Sequence, residues 1–356
     1  MNVWSGFTTL ARGGRAVVLV GAALVAGQHA AHAQPAPPLK MKVAAFQNPN
    51  LNIWGPLVAQ DLGLYAKYGL DAEVKLTKSS NIIPLLLSGG VDVACTGGPM
   101  LDAIIQGQEL VIVFGEGAIL PYTLVSRKEY AKPESLKGKT LSTPAVGRGT
   151  SYVVLVETLK KHGIAADQVK WVELPDSPTR ARALIAGRID ATVLTQDETL
   201  LVRDRPEVHT LVETPGDNTD MKPFMYCAAT KSYAATHERE LKRWATAMLA
   251  AHRRLDSDKS AYVDLVKKIK SDQYTSSDAE NLYELAKKSG YWSLNGGMDP
   301  VWHSRSMEYF VSTQKGVKNS PKLQDFYSDI YVRAALDELG KVSSRTDPAN
   351  WYVKRP

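Results

Sequence analysis

The feature that most constrains this chain is a phrase it uses twice. Leu85-Leu86-Leu87-Ser88-Gly89-Gly90-Val91-Asp92-Val93-Ala94-Cys95-Thr96-Gly97-Gly98 reads as a helix end, a glycine stop, a buried strand and a Thr-Gly-Gly turn into another helix. Ala183-Leu184-Ile185-Ala186-Gly187-Arg188-Ile189-Asp190-Ala191-Thr192-Val193-Leu194-Thr195 repeats the order. In both copies glycine stands where a helix C′ residue needs a positive φ. In both, a β-branched residue and an aspartate then open a short apolar strand that ends in threonine. The flanks repeat as well. Lys67-Tyr68-Gly69-Leu70 runs into strand 72–76, and Lys161-His162-Gly163-Ile164 runs into strand 169–173. Two α/β units of like design in one chain predict two lobes with a cleft between them.

The rest of the pattern fits that plan. A first strand, Met41–Phe46, empties into the polar loop from Gln47 to Asn52, and a helix is expected from Trp54 to Lys67. Helix 80–88, strand 91–95, helix 99–106 and strand 110–114 follow. Alternation at these lengths implies right-handed βαβ units and parallel strands. Pro121–Ser126 is an extended run, read as a crossing to the second lobe. There, strand 140–143, a helix ending at Lys161, strand 169–173, helix 177–186, strand 189–194, helix 196–203 and strand 208–212 are expected. Pro223–Thr230 reads as the return crossing. The lobes are therefore drawn as 41–121 with 228–340, and 122–227. Beyond Ser232 the texture is helical. Glu238–Arg254 is amphipathic, Ser277-Asp278-Ala279-Glu280 is a capping-box pattern, and 321–339 is the last helix before Gly340. The tail after Lys341 is expected to trail over the surface.

Bulk properties narrow the function. Hydrophobic content is 44% and charged content 22%, ordinary for a globular protein. Of the formal charge of +6, Arg12 and Arg15 belong to an N-terminal leader, and the remainder is too small and scattered to argue for nucleic acid. Residues 1–33 read as a signal peptide. A basic start precedes the apolar run Ala16–Ala26, and Ala31-His32-Ala33 makes a cleavage site. A soluble protein outside the cytoplasm is expected. The two cysteines, Cys95 and Cys227, each sit in an apolar strand-like run, where a buried free thiol is the commoner outcome. An oxidising compartment would permit their pairing, and spacing alone does not decide between the two.

In an open α/β sheet, ligands bind beyond the carboxyl ends of the strands. Helix N-termini there offer unpaired N–H groups and the positive end of a dipole. Four loops meet that description: Gln47 to Trp54 with Asn52 between them, Thr96-Gly97-Gly98, Gly149-Thr150-Ser151, and Thr195-Gln196-Asp197. Each hydroxyl among them is equally an ordinary N-cap. Trp54, Tyr122, Tyr152, Phe224 and Tyr226 are candidates for a pocket wall, though each suits a core position equally well. Arg148 has the fork geometry to hold a carboxylate or sulfonate, or it is a solvated loop residue. Asp197 and Glu198 would suit an amine, or are plain first-turn acids. Enzyme signatures are missing. The sequence contains no His-Glu-x-x-His, no Gly-x-Ser-x-Gly, no P-loop and no complete dinucleotide fingerprint.

Several motifs, taken in order, resemble a known family. They are Ala59-Gln60-Asp61-Leu62-Gly63-Leu64-Tyr65 with Tyr68-Gly69-Leu70-Asp71, Ser88-Gly89-Gly90-Val91-Asp92 with Thr96-Gly97-Gly98, Leu136-Lys137-Gly138-Lys139, Gly149-Thr150-Ser151, and Ala186-Gly187-Arg188-Ile189-Asp190-Ala191. The set resembles the periplasmic solute-binding proteins of ABC importers, in the group serving aliphatic sulfonates, taurine, nitrate and thiamine pyrimidine precursors. The resemblance implies a type II periplasmic-binding-protein-like α/β fold, with two lobes built on central mixed sheets, hinge crossings and C-terminal helices. It implies capture of a small, anionic organic solute in the interlobe cleft, for delivery to an ABC permease of the inner membrane. By position it places ligand contacts at Gln47, Trp54, Thr96, Gly97, Gly98, Gly149, Thr150 and Ser151, and near Gln196 and Asp197. Many members carry a Trp-Asp-Pro-Tyr-like run where this chain has Thr195-Gln196-Asp197-Glu198. A monomer without cofactor, metal or catalysis is expected. A ligand sensor for a membrane receptor, or an enzyme like the pyrimidine-precursor synthases on the same fold, is the alternative. The cysteine-rich motif of those synthases is absent from the sequence.

Overall fold

The repeated aspartates explain the architecture from the backbone outward. Asp92 exchanges hydrogen bonds with Lys42: its own N–H donates to the Lys42 carbonyl, and its carboxylate accepts from the Lys42 N–H. Asp190 does the same with Thr140, and its second oxygen accepts from the Tyr130 hydroxyl. Each carboxylate thus extends a parallel ladder by one rung just before its strand begins. Charge-assisted bonds of this kind are about twice as strong as neutral ones. The glycines ahead of them, Gly89 and Gly187, have φ of 72° and 68°, and each ends a helix.

The computed structural model describes residues 38–46, 55–213, 222–223, 225–270, 274–313, 317 and 320–353. The leader at 1–33, the loop bearing Gln47, Asn52 and Trp54, and Phe224 lie outside the described residues. In chain order come β1 (Leu39–Phe46), α1 (Gly55–Asp61), α2 (Leu64–Lys67), β2 (Leu70–Thr77), α3 (Ser79–Leu87), β3 (Val93–Thr96), α4 (Gly98–Ile105) and β4 (Leu110–Glu116). Then follow β5 (Tyr122–Arg127), β6 (Thr140–Thr143), α5 (Thr150–Lys161), β7 (Lys170–Glu173), α6 (Ser177–Ile185), β8 (Ala191–Thr195), β9 (Val208–Glu213) and β10 (Met225–Thr230). The remainder is helical: α7 (Lys231–Thr236), α8 (Glu238–Ser257), α9 (Lys259–Lys270), α10 (Ser276–Ser289), α11 (Pro300–Thr313), α12 (Leu323–Phe326) and α13 (Ile330–Leu339).

Two five-stranded sheets share one plan. The first runs β2-β1-β3-β10-β4 and the second β7-β6-β8-β5-β9. β1 is parallel to β2 and β3, as β6 is to β7 and β8. The fourth strand of each sheet is antiparallel and comes from a crossing: β5 lies between β8 and β9, and β10 between β3 and β4. Both sheets are therefore mixed, where the alternating pattern alone had implied parallel pairing. The return strand β10 pairs with the first sheet from Met225 onward.

Several local expectations are corrected. Cys95 and Cys227 form a disulfide, because β3 and β10 pair in a register that sets them directly opposite, with Cα atoms 4.0 Å apart. A separation of 132 residues hid that proximity from the sequence. The expected helix from Trp54 to Lys67 is described from Gly55 and breaks at Gly63, whose φ is 64°. The expected helix at 196–203 shrinks to a single 3-10 turn, Glu198–Leu201. The Gln196 N–H is taken by the Pro121 carbonyl, and the Glu198 carboxylate accepts from the Thr195 N–H. The capping box belongs to Thr275 and Asp278 rather than to Ser277 and Glu280. The last helix is two helices, since Tyr327 forms a bridge to Ile112 and interrupts it. The tail is anchored rather than trailing: Asp347 is fully buried and accepts hydrogen bonds from the Asn295 and Gly297 N–H groups.

α8 packs on α1, β1, β2 and β4 and carries Trp244 into the core, edge-on to Phe114 at 5.9 Å between centroids. α11 reaches both α4 and α5, so it contacts elements from either sheet.

Candidate ligand-binding cleft

Parallel strands leave their carboxyl ends on one side, and the helices that follow begin there. Here α4 follows β3 of the first sheet, and α5 follows β6 of the second. Their starts meet. The Gly98 N–H, the first of α4, donates to Thr150 Oγ1 at the start of α5, 2.7 Å away in a buried contact. A side chain from one sheet's helix thus caps a helix of the other, and neither helix start has a side-chain cap of its own. The approach requires glycine on one side. A Cβ on Gly98 would lie 2.5 Å from the Thr150 nitrogen and 2.8 Å from the Gly149 Cα.

Beside this contact lies a cavity of about 770 Å³. It is lined from the first sheet's elements by Ser80, Ile83 and Pro84 on α3, Gly97 to Pro99, Asp102, Ala103 and Gln106 on and before α4, and Met225. The second sheet's elements supply Tyr122, Thr143 to Ala145, Arg148 to Ser151, and Pro175. Of the residues singled out in the sequence, Gly97, Gly98, Tyr122, Arg148, Gly149, Thr150 and Ser151 share this cavity. The Ser151 hydroxyl donates to the Tyr122 hydroxyl at 3.3 Å. Burial pushes the Tyr122 phenol up to about 12, partly offset by the bond from Ser151, so the ring remains neutral. Arg148 is exposed on the cavity rim, and no described carboxylate pairs with it.

The remaining candidates stand elsewhere. Thr96 is buried behind Gly97, its hydroxyl without a partner among the described residues. Gln196 and Asp197 are not among the residues that line this cavity. The Gln196 N–H donates to the Pro121 carbonyl, and Asp197 hydrogen-bonds Tyr274 and raises that phenol further above the level set by burial. Tyr152 packs on Trp171 at 5.0 Å, and Tyr226 on His303 at 5.7 Å, so both serve packing.

Two features escaped the sequence reading. Thr143 is fully buried, lines the cavity and has no partner for its hydroxyl among the described residues. The signal was available, since Thr143 ends β6 as the repeat plan requires a strand to end at the cleft. Glu116 is the second. It is buried at the end of β4, accepts from the Gly55 N–H at 2.8 Å, and faces His252 at 3.5 Å. It therefore pins the start of α1 to the first sheet. Sulfur atoms of Cys95 and Cys227 lie near its carboxylate, but both are committed to the disulfide and lack the thiolate charge a metal would need.

A family model described as NMT1/THI5 like matches residues 50–254, more than half of the 356-residue chain. No curated protein matches the chain in sequence. Among solved structures, the periplasmic aliphatic sulphonate binding protein from Escherichia coli is similar at a TM-score of 0.63 and 14% identity, over 81% of this chain and 91% of that one. The periplasmic nitrate-binding protein from Synechocystis PCC 6803 is similar at 0.66 and 15% identity, over 88% and 91%. A desulfurization enzyme is similar at 0.62 and 10% identity, over 85% and 99%. At these identities the likeness establishes the periplasmic-binding-protein fold.

Proposed function

The chain belongs to the NMT1/THI5-like family, and we propose that it is the extracytoplasmic substrate-binding component of an ABC importer, capturing a small organic anion between its two sheets. The observation that carries this reading is the contact of the two helix starts over a cavity of about 770 Å³, within the range of small-molecule sites. The sheets act as lobes, 41–121 with 228–340 and 122–227, joined by β5 and β10 as the crossing segments. Hinge closure around a ligand brings the facing rims together. Arg148, the N–H groups at the start of α5, and the hydroxyls of Thr150, Ser151 and Tyr122 hold the anion, with Gly97 and Gly98 giving close approach. Gln47, Asn52 and Trp54, which lie outside the described residues, are proposed as further ligand contacts.

Sulfonate and nitrate binding by structurally similar proteins supports an anionic ligand. The similar desulfurization enzyme is a reminder that the fold alone does not exclude catalysis. The cavity wall supplies hydroxyls, the Arg148 guanidinium, the Asp102 carboxylate, the Gln106 amide and aliphatic surface, a set suited to holding a ligand. Residues 1–33 serve as a cleaved signal peptide, placing the protein in the periplasm. Among the described residues no helix is long and apolar enough to cross a membrane. A thermal-shift screen of sulfonates, carboxylates and pyrimidines tests the proposal. Stabilisation by one class, with a smaller radius of gyration in solution scattering, is expected. No stabilisation and no compaction across the screen would refute it.

A further inference from the structure

We propose, resting on the ligand-binding reading above, that Arg203 and Asp278 are positioning residues for ligand capture. With Asp197 and Tyr274 beside them, they form a clasp between the two sheets' elements that sets how readily the cleft closes.

The clasp joins one sheet to the other. Asp197 and Arg203 flank the 3-10 turn Glu198–Leu201, which follows β8 and packs on β8 and α6. Tyr274 and Asp278 stand at the start of α10. α10 packs on α9, α9 on α8, and α8 on α1, β1, β2 and β4 of the first sheet. Across this junction Arg203 Nη1 donates to Asp278 Oδ1, and Asp197 hydrogen-bonds Tyr274.

Asp278 does more than cap a helix. Its Oδ2 accepts from the Thr275 N–H at 2.9 Å and from the Thr275 hydroxyl at 2.8 Å, which completes the cap. Its Oδ1 is turned instead to a cation carried by the other sheet's elements. The residue is 5% exposed, and the bond from Arg203, then the Thr275 donors, hold its carboxyl down at about 2. The acid is therefore charged across the working pH range and needs a partner where it stands. Arg203 is placed to let go. Its side chain is half-exposed, and the neighbouring Asp204 carboxylate lies 3.4 Å from its Nε. Parting the sheets leaves Arg203 in water beside Asp204, so no buried cation is stranded.

None of the four residues is among those lining the cavity. The clasp can therefore favour the closed form without touching the ligand. A ligand that needs that form binds with an apparent affinity scaled by the fraction of protein that is closed. Loss of the clasp then weakens every ligand by one common factor, whereas loss of a contact inside the cleft discriminates among ligands.

Solution scattering of the free protein, with calorimetry on methanesulfonate and hexanesulfonate, tests the clasp. It is run on the wild type, Arg203→Gln, Arg203→Lys, Asp278→Asn and the Arg203→Gln/Asp278→Asn double variant, with melting curves confirming that each folds. Free Arg203→Gln is expected to have a larger radius of gyration than the free wild type, and Arg203→Lys to recover part of the difference. A charge-assisted bond discounted for the exposure of Arg203 predicts about fivefold to tenfold weaker binding in Arg203→Gln, by the same factor for both sulfonates. The double variant is expected to be no weaker than the worse single one. At about 1 M salt, where the Debye length is about 3 Å, the gap between wild type and Arg203→Gln narrows. An unchanged radius of gyration in free Arg203→Gln, additive losses in the double variant, or a loss that differs between the two sulfonates would overturn the clasp. Failure of the wild type to bind either sulfonate or the matching carboxylates would overturn the anion-binding reading alone, since scattering of the free protein reads the clasp without ligand.

Discussion

Gly98→Ala tests the cross-cleft contact where the two helix starts meet. Gly98 opens α4 without a positive φ, so its backbone accepts alanine. The difficulty is space: the new Cβ would sit 2.5 Å from the Thr150 nitrogen, 2.8 Å from the Gly149 Cα and 2.8 Å from Phe310 Cε1. Two of these are backbone atoms that cannot rotate away. Ordinary contact begins at about 3.5 Å, so the rims must part by roughly 1 Å. That lengthens the 2.7 Å bond from Gly98 to Thr150 past the limit for a hydrogen bond. The lost bond costs the closed form about 1 kcal/mol, and residual crowding about 1 kcal/mol or more. Together, about 2 kcal/mol corresponds to roughly thirtyfold weaker binding of any ligand that requires closure. Calorimetry with hexanesulfonate reads the affinity, and solution scattering reads the closure. The melting temperature of the free protein is expected to hold, because alanine favours the helix and an open cleft relieves the clash. Thr150→Ala removes the acceptor but not the space, so its loss is smaller. Wild-type affinity and compaction in Gly98→Ala would refute the rim-contact account.

Three further perturbations probe the frame around the cleft. Reducing the Cys95–Cys227 disulfide, which closes a loop of 132 residues, is expected to cost about 3–5 kcal/mol on denaturant unfolding, and an unchanged midpoint would contradict it. Burial raises the Asp347 carboxyl from 3.8 to about 6, with N–H donors from Asn295 and Gly297 opposing. The neutral form is therefore favoured by folding. Its contribution is complete below pH 4 and lost as pH rises through 6, a component that Asp347→Asn should remove from the melting profile. Thr275→Ala deletes the reciprocal cap with Asp278 and is expected to cost about 1 kcal/mol on thermal unfolding.

Much of the fold was legible because it is written in backbone chemistry that only certain residues satisfy. Gly89 and Gly187 mark helix ends by their positive φ, and Asp92 and Asp190 mark strand starts by the ladder bonds they supply. What failed was long-range. The Cys95–Cys227 pairing depends on β10 inserting antiparallel beside β3, a register set by the whole sheet. The burial of Asp347 depends on Asn295 and Gly297 presenting N–H groups to it, which no local pattern announces. In the site, the glycine and hydroxyl turns at 97–98 and 149–151 were visible as helix starts at strand ends. Gln196 and Asp197 met the same local rule, but the Pro121 carbonyl takes the Gln196 N–H and Tyr274 hydrogen-bonds Asp197. Thr143 was passed over because a strand-ending threonine looks ordinary until its hydroxyl is found buried without a partner among the described residues.

The most direct measurement is a crystal structure of the protein saturated with hexanesulfonate. The account predicts the sulfonate in this cavity, within hydrogen-bonding distance of Arg148 and the first N–H groups of α5, with the Gly98–Thr150 contact intact. Density for the sulfonate outside this cavity, or an empty cavity at saturation, would contradict it.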